Sequence, residues 1–292
     1  MQRIKILFLL FIILLLPIEN LAQKNKVTTG NKNGTLIAIG GGEIGHTSIM
    51  KEFRKLAGGD SAKIVVIPTA LVRNNEIDTI LLQRNFKEYG ITNFSILHTS
   101  DSIQANTDDF VKPIKEATGI YFTGGRHWRI VDSYLNTKVH DELLKLLDRG
   151  GVIAGSSAGA TIQGSYLARG DTKNNQIMMG DHEIGLGFIS NITIDQHVLT
   201  RNRQFDMFTI LKNKPKLLGV GIDESTAIIV KGDILEVIGE SYVLIYDQSF
   251  WSIESNPFDE HTHKKLPNKD QLFYFLKSGD KYNLRERKVI RN

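Results

Sequence analysis

The sequence predicts an α/β fold: a doubly wound, mostly parallel sheet with helices on both faces and antiparallel edge strands toward the C-terminus. Two observations lead to this class. Short, continuous apolar runs alternate with segments of helical periodicity over the first half of the chain, which is typical of parallel strands covered on both faces. From Leu217 onward, strand-like runs follow one another across short turns, which indicates antiparallel pairing.

The individual elements follow from the periodicity of apolar residues. Five strands are predicted in the parallel part, at residues 36–39, 63–67, 94–97, 119–122 and 152–154. The helices predicted between them span 48–56, 75–89, a segment around 129–135, and 138–149. In helix 75–89 the spacing assigns to the inner face Ile77, Ile80, Leu81 and Phe86. A further strand is predicted at 192–194, and four runs are expected as antiparallel additions at one edge, at 217–222, 227–230, 234–238 and 243–246.

The N-terminus reads as a targeting segment. Arg3 and Lys5 precede an apolar run over residues 6–16, followed by Pro17 and small residues near Ala22, which predicts a signal peptide over residues 1–22. The run is shorter than the roughly 20 residues of a membrane-spanning helix. We therefore expect an exported protein, periplasmic or extracellular, without stable membrane insertion after cleavage.

Composition describes an ordinary folded chain. Of the 292 residues, 41% are hydrophobic and 23% are charged, which excludes intrinsic disorder. The net charge of +4 is spread thinly, so nucleic-acid binding is not expected. Residues 23–34 are rich in Lys, Asn and Gly and are predicted to form a flexible lead-in. Residues 35–292 are predicted to form a single domain, with a less regular tail after about residue 250.

Cofactor chemistry is not expected from the motifs present. The chain has no cysteine, which excludes a thiolate nucleophile and a Cys-ligated metal. His261 and His263 lack a scaffolded third ligand nearby. The segment Gly40-Gly41-Gly42-Glu43-Ile44-Gly45 has the spacing of a dinucleotide-binding loop, but the strand at 63–67 ends in Pro68-Thr69-Ala70, without the acidic residue that would hold a ribose.

The segment Gly155-Ser156-Ser157-Ala158-Gly159 stands between a predicted strand and a helix-compatible run, in the strand-turn-helix context of a nucleophile elbow. Such a turn exposes a serine above the strand ends, and small neighbours let the backbone come close. The N–H of Ala158 lies where an oxyanion would develop, and Gly125, after strand 119–122, is a second candidate donor. A plain tight turn, or a phosphate site, remains the alternative for these glycine-rich segments.

A serine nucleophile needs a base and an acid that orients it. His197 is the best candidate base because it follows strand 192–194, and His98 and His127 are reserves. Asp171 is assigned as the acid because it preserves the chain order serine, acid, histidine, with Asp181 and Glu183 as close competitors. Arg201 and Arg203 could bind a substrate carboxylate or belong to a solvated helix start.

With these residues assembled, the chain resembles the cyanophycinase and aspartyl dipeptidase (peptidase E) family of serine peptidases, which share a class I glutamine amidotransferase-like fold. The landmarks run from the triple glycine to the tail: Gly40-Gly41-Gly42, Pro68-Thr69-Ala70, Phe122-Thr123-Gly124-Gly125, Gly155 to Ala160, Gly185-Leu186-Gly187, Asp195-Gln196-His197, Gly221-Ile222-Asp223-Glu224, Thr226, and Leu276 to Leu284.

The resemblance implies Ser157 as nucleophile, His197 as base, and Gly125 and Ala158 as oxyanion donors. It implies hydrolysis after an aspartyl residue, often a β-linked one, with Asp195, Gln196 and Arg203 near the substrate, no cofactor, and a possible homodimer. Cyanophycinases cut a polymer of aspartate that carries arginine on its side chains, whereas the dipeptidases cut small N-terminal aspartyl peptides.

The chain differs from this family at residues that are expected to contact the substrate. Cyanophycinases typically carry Gly-Gly-Asp-Gln, with the glutamine on the aspartyl group, where this chain has Gly124-Gly125-Arg126-His127. Asp206 stands in place of a third arginine, and Val198 in place of a phenylalanine.

Our hypothesis is a cyanophycinase-like exported serine peptidase acting on an aspartyl peptide. One alternative is a non-catalytic module that binds an anionic ligand through Arg126, His127, Arg201 and Arg203. Another is an α/β-hydrolase esterase, whose histidine would normally lie nearer the end of the chain.

Overall fold

The computed structural model describes residues 27–45, 47–72, 76–249 and 272–291. The predicted signal peptide, residues 23–26 of the predicted lead-in, and the pair His261 and His263 lie outside the described residues. Within the described ranges, no helix is both long enough and apolar enough to cross a membrane.

These residues form fourteen strands and seven α-helices. The strands are β1 (Thr35–Ile39), β2 (Ile64–Ile67), β3 (Phe94–Ile96), β4 (Gly119–Phe122), β5 (Val152–Ser156), β6 (Gly164–Tyr166), β7 (Ile189–Gln196), β8 (Leu218–Ile222), β9 (Thr226–Lys231), β10 (Ile234–Gly239), β11 (Tyr242–Tyr246), β12 (Tyr274–Lys277), β13 (Lys281–Asn283) and β14 (Lys288–Ile290). The helices are α1 (Ser48–Leu56), α2 (Thr79–Glu88), α3 (Asp108–Glu116), α4 (His127–Tyr134), α5 (Lys138–Asp148), α6 (Ala158–Thr161) and α7 (Met207–Asn213).

The main sheet contains nine of these strands in the order β14-β13-β10-β9-β1-β5-β4-β2-β3. The five strands from β1 to β3 in this order run parallel. Strands β9, β10, β13 and β14 continue the sheet as antiparallel additions. The predicted α/β class is confirmed, including the antiparallel edge toward the C-terminus.

A second, five-stranded sheet was not predicted. Its order is β12-β11-β8-β7-β6, so β8 and β11 belong here and not to the edge of the main sheet, where they were expected. Strand β8 also runs parallel to β7, with Gln196 opposite Ile222. Short turns after β8 suggested antiparallel hairpins, but the pairing partner of a strand is decided by tertiary packing and not by the length of the next turn.

Helix α2 begins later than predicted and faces differently. Asp78 caps it by accepting a hydrogen bond from Leu81 N–H, so the helix starts at Thr79. Leu82 and Phe86, four residues apart, form the buried stripe, whereas Ile80 is 79% exposed and Leu81 37% exposed. The predicted inner positions Ile80 and Leu81 are therefore wrong. Helix α3, capped by Thr107, was not predicted.

Two apolar layers cover the main sheet. One cluster joins the main sheet to the second sheet, with members such as Leu36, Ile153, Ile194 and Val220. The other packs α1 and α2 on the opposite face, where Phe53 and Phe86 contact Tyr121. Because both faces are covered, the parallel strands are continuous apolar runs, as the sequence indicated.

Residues 27–34 of the predicted flexible lead-in contact two other segments of the described structure. Thr28 is 2% exposed and donates to Asn191 O at 3.0 Å. Thr29 pairs with Ser190, and Gly30 N–H donates to Gly232 O at 3.0 Å. The polar side chains and glycines of residues 27–34 satisfy backbone groups of these two segments.

Candidate active site

The elbow at Ser157 forms because only small residues fit around it. β5 lies between β1 and β4, and Ser157 follows it with φ 53° and ψ −110°, a sparsely populated conformation. Ser157 N–H donates to Ile39 O at 2.9 Å, which ties the turn to β1. A Cβ on Gly155 would lie 2.1 Å from Gly159 O, and one on Gly159 would lie 2.4 Å from Phe122 O. The turn therefore requires glycine two residues before and two residues after the serine.

His197 lies against this serine. It is the first residue after β7, it has φ 55°, and its N–H donates to Gly40 O at 3.1 Å. Its Nε2 is 2.8 Å from Ser157 Oγ, and the side chain is 6% exposed. The structure thus brings together the serine and the histidine that the sequence singled out.

The carboxylate on the far side of the imidazole is Glu224, not Asp171. Glu224 Oε1 lies 2.5 Å from His197 Nδ1. Glu224 follows β8, and because β7 and β8 are parallel neighbours their carboxyl ends meet at the same edge.

Asp171 has other partners, and so do its competitors. The Asp171 carboxylate accepts hydrogen bonds from the N–H groups of Lys173 and Asn174. Asp181 accepts from Thr172, and Glu183 accepts from the hydroxyl of Tyr166. The assumed chain order serine, acid, histidine led to Asp171, whereas the order here is serine, histidine, acid. The available signal was the pair Asp223-Glu224 directly after a buried strand.

The triple glycine packs against this histidine and glutamate. A Cβ on Gly40 would lie 2.1 Å from Asp223 O, one on Gly41 would lie 2.1 Å from His197 Cε1, and one on Gly42 would lie 2.8 Å from Glu224 Cβ. The glycines therefore admit the imidazole and its carboxylate partner beside β1. This contact explains the motif that had the spacing of a dinucleotide-binding loop.

The environment keeps His197 neutral. Burial lowers the pKa of His197, and the charge of Arg201 lowers it further, whereas the hydrogen bond to Glu224 opposes both effects. Glu224, as an acceptor, assigns the proton of the neutral ring to Nδ1, which leaves the Nε2 lone pair toward Ser157. The arrangement can therefore remove the proton of the Ser157 hydroxyl at neutral pH.

Two backbone N–H groups flank the serine. Gly125 has φ 137°, and a Cβ there would lie 2.0 Å from Ala70 O. A Cβ on the preceding Gly124 would lie 3.3 Å from Ser157 Cβ, so this turn is next to the nucleophile. Within the described ranges, neither Gly125 N–H nor Ala158 N–H donates to a protein acceptor. Both predicted oxyanion donors are thus free to bind a substrate oxygen.

Asp195 is committed to a buried ion pair and does not face solvent. Its two oxygens accept from Arg169 Nε at 2.8 Å and Nη2 at 2.9 Å, and the two side chains are 0% and 1% exposed. Arg169 Nη2 also contacts Asp206 at 2.6 Å. Asp206 is therefore one of two carboxylate partners of Arg169, which comes from the loop between β6 and β7.

Gln196, His127 and Arg203 form a second buried group next to this pair. Arg203 Nη1 donates to Gln196 Oε1 at 3.3 Å, and Gln196 Nε2 lies 3.2 Å from His127 Nε2. Burial, followed by the charges of nearby arginines, lowers the pKa of His127 to about 3, so this ring is neutral. All three side chains are at most 4% exposed.

Of the other side chains that the sequence suggested for the site, some have protein partners and one is exposed. Arg126 donates to Asp171 O at 2.6 Å and to Thr172 O, so it clamps the loop after β6. Arg201 is exposed, and no side-chain partner is found for it among the described residues. His98 lies apart, hydrogen-bonded to Thr69. In the described part of the chain, no group of three or more His, Asp or Glu residues could hold a metal ion.

The sequence profile of peptidase family S51 matches residues 36–238. A cyanophycinase of Geminocystis herdmanii is 31% identical over 266 residues, which cover 85% of this chain and 93% of that protein. A cyanophycinase of a Nostoc species is 29% identical over 264 residues, covering 87% of each chain. The matched region contains Ser157, His197 and Glu224.

Two solved structures share the fold. A peptidase from an acI-B1 actinobacterium superposes with a TM-score of 0.62 at 22% identity, covering 87% of this chain and 98% of that one. A candidate peptidase E protein from Listeria monocytogenes gives a TM-score of 0.51 at 16% identity, covering 71% of this chain and 99% of that one.

Proposed function

The chain belongs to peptidase family S51, and on that premise we propose that it is an exported, cyanophycinase-like serine peptidase that hydrolyses aspartyl, specifically β-aspartyl, peptide bonds. The observation that carries the proposal is the continuous contact of Ser157 Oγ with His197 Nε2 at 2.8 Å and of His197 Nδ1 with Glu224. The similarity to cyanophycinases supports the substrate class. The charged and apolar pattern of residues 1–22 supports export.

In the acylation step, Ser157 Oγ attacks the peptide carbonyl carbon while His197 Nε2 takes the hydroxyl proton. Glu224 stabilises the imidazolium that forms, and the N–H groups of Gly125 and Ala158 stabilise the oxyanion. His197 then gives the proton to the leaving amine, and the C–N bond breaks. Water, deprotonated by the same histidine, hydrolyses the acyl-enzyme and regenerates the Ser157 hydroxyl.

Exposed Arg201 supplies the accessible positive charge for an aspartyl substrate, and buried Arg203, bonded to Gln196, adds to the positive potential behind it. Arg201 is exposed and close enough to His197 to lower its pKa, and Arg203 also lowers it. A substrate carboxylate near Ser157 would therefore meet the guanidinium of Arg201, a group that binds carboxylates in a bidentate manner. Asp195 acts from behind, through its ion pair with Arg169, and does not contact the substrate.

The first experiment incubates the purified protein, without residues 1–22, with cyanophycin and with α- and β-aspartyl dipeptides, and identifies products by mass spectrometry. Ser157→Ala is the matched control, and we expect its kcat to fall about 10³- to 10⁶-fold without a change in thermal stability. Serine-dependent release of β-aspartyl-arginine supports cyanophycin as the substrate. Cleavage of dipeptides alone moves the substrate to small aspartyl peptides, and undiminished activity in Ser157→Ala contradicts the mechanism.

A non-catalytic anion-binding module is the alternative from another class. It is motivated by the departures at Arg126 and His127, but Arg126 contacts backbone carbonyls and His127 is 1% exposed. A fluorophosphonate probe separates the two hypotheses. Labelling that disappears in Ser157→Ala supports the peptidase, and an unlabelled wild-type protein supports the binding module.

A further inference from the structure

A cavity of about 240 Å³ lies between α4 and the loops that follow β2 and β3, outside the group formed by Ser157, His197 and Glu224. Its wall includes Thr69, His98, Trp128 and Arg129. It is next to the oxyanion turn, because Ala70 follows Thr69 in the chain and its carbonyl accepts from Arg126 N–H at 2.9 Å. The same carbonyl is the group that a Cβ on Gly125 would strike.

Arg129 in the wall of this cavity has no ion-pair partner among the described residues. Arg129 donates to Val72 O and lies over the Trp128 ring, with its guanidinium carbon 5.2 Å from the ring centroid. Asp132 also lines the cavity, but its Oδ1 is bonded to His182 Nε2 at 2.8 Å. Of these two charged side chains, Asp132 has an ion-pair partner in the described part of the chain and Arg129 does not.

The hydrogen bonds around Thr69 assign a proton to Nε2 of His98, a second side chain in the cavity wall. Tyr134 Oη accepts from Thr99 N–H at 3.1 Å and lies 2.7 Å from Thr69 Oγ1, which in turn lies 2.9 Å from His98 Nδ1. The arrangement that uses every hydroxyl hydrogen has Tyr134 donating to Thr69, and Thr69 donating to His98 Nδ1. Burial lowers the pKa of His98, so the ring is neutral and its proton is on Nε2.

Trp128 contributes a further unused donor. Its indole N–H is buried and has no acceptor among the described residues. A cavity whose one charged side chain without an ion pair, among the described residues, is a guanidinium favours a negatively charged ligand that is rich in acceptors.

We infer that this cavity is a subsite for a substrate carboxylate on the acyl side of the scissile bond, with Arg129 as its specificity-determining residue. The inference rests on the proposed function. The side follows from the order of the main sheet, in which β5 carries Ser157 between β1 and β4. His197, which protonates the leaving amine, packs on Gly41 after β1, whereas the cavity lies beyond β4, toward β2 and β3. The leaving group and this cavity are therefore on opposite sides of Ser157.

Binding is measured first, so that the result does not depend on turnover. The protein carries Ser157→Ala and Trp251→Phe, which leaves Trp128 as the only tryptophan of the two in the chain. The probes are N-acetyl-Asp-Asp-Asp and N-acetyl-Asn-Asp-Asp, two peptides that keep the aspartyl residue on the acyl side of the scissile bond and differ only in the carboxylate of the residue before it. We expect the first to bind about tenfold more tightly and to change Trp128 fluorescence, because a charge-assisted contact to Arg129 is worth about that factor.

Three variants decide the outcome. Arg129→Gln is expected to remove the tenfold difference, and Arg129→Lys, which keeps the charge, to retain part of it. Arg54→Gln is the matched control, because Arg54 lines a separate cavity beside α1 and pairs with Asp60. Thermal unfolding of each variant verifies that it is folded. Equal affinity of the two peptides, or equal losses in Arg129→Gln and Arg54→Gln, would overturn the inference.

Kinetics then link the subsite to the reaction. In the Ser157-containing protein, Arg129→Gln is expected to lower kcat/KM about tenfold for N-acetyl-Asp-Asp-Asp, which has a further carboxylate before the aspartyl residue that forms the acyl-enzyme. It is expected to leave kcat/KM unchanged for an aspartyl dipeptide, which has none there. Peptide binding without any hydrolysis would contradict the proposed function while supporting the subsite. Hydrolysis that is insensitive to Arg129 for both substrates would contradict the subsite alone.

Discussion

Ser157 and His197, the proposed nucleophile and its base, are held in place by two regions of very different construction. The residues of the elbow that must be small, Gly155 and Gly159, are within two positions of Ser157 in the chain and pack against adjacent strands. His197 and Glu224 are 27 residues apart and meet only because β7 and β8 pair in a second sheet. The difference shows why a nucleophile can be found from a local motif, whereas the acid that orients its base cannot.

The largest expected effect is the loss of kcat on substitution of Glu224, which follows β8 of the second sheet. Glu224→Gln should lower kcat about 10²- to 10⁴-fold, because the amide no longer stabilises the imidazolium of His197. Asp171→Asn is the matched control and should leave kcat within about threefold, since its amide oxygen can still accept from the N–H of Lys173. Steady-state kinetics on both variants measure the difference. A greater loss in Asp171→Asn would restore the acid that the sequence suggested.

The buried ion pair between Arg169 and Asp195 should contribute strongly to the stability of the end of β7, where His197 follows. Arg169→Met leaves Asp195 buried without a partner, and we expect the free energy of unfolding to fall by about 3–5 kcal/mol. Arg285→Met breaks the exposed pair with Asp233 on the antiparallel edge and should leave the free energy of unfolding nearly unchanged, because solvent screens that pair. Urea denaturation measures both. Similar losses would mean that burial of the Arg169 pair is not what stabilises the end of β7.

Gly41, which follows β1 and packs against the imidazole of His197, tests the contact between the main sheet and the second sheet. In Gly41→Ala the new Cβ would lie 2.1 Å from His197 Cε1, so the imidazole must move, and kcat should fall about 10- to 100-fold. Gly58→Ala is the control, because Gly58 has nearly the same φ, 115° against 111° for Gly41, but the nearest atom to its Cβ lies 3.7 Å away. Both variants carry the same kind of backbone strain. A kcat loss of the same size in both would assign the effect to strain and not to the displaced histidine.

The smallest effect is a shift in pH dependence. His197 must be neutral to act as a base, so kcat/KM falls as the pH drops through its pKa, which lies below the usual value for histidine because of burial and Arg201. Removing that charge in Arg201→Gln should raise the pKa and move the acid limb to higher pH. The pH profile of kcat/KM for an uncharged ester substrate measures this shift without involving carboxylate binding. An acid limb that stays in place or moves to lower pH would contradict the assignment.

The parallel part of the fold was predictable because a strand that is buried on both faces is an uninterrupted apolar run in the sequence. Strands β1, β2, β4 and β5 were each identified from an uninterrupted apolar run. Helix α2 was placed too early because Ile77 and Ile80 fit a helical spacing, although the cap at Asp78 rotates Leu82 inward. The second sheet was missed because an apolar run records that a strand is buried but does not record which strand it pairs with.

At the candidate site, sequence and tertiary structure contributed different residues. Ser157 and the N–H of Ala158 were predictable from the sequence alone, because the elbow consists of residues that are neighbours in the chain, and Gly125 was predictable from its place after β4. The sequence also indicated His197 through its place after a strand. Only the tertiary structure assigned Glu224 to the imidazole, Asp195 to Arg169, and Arg126 to the loop after β6. These partners are far apart in sequence, and a charged side chain that is desolvated on folding pairs with whichever opposite charge or carbonyl the packing brings within reach.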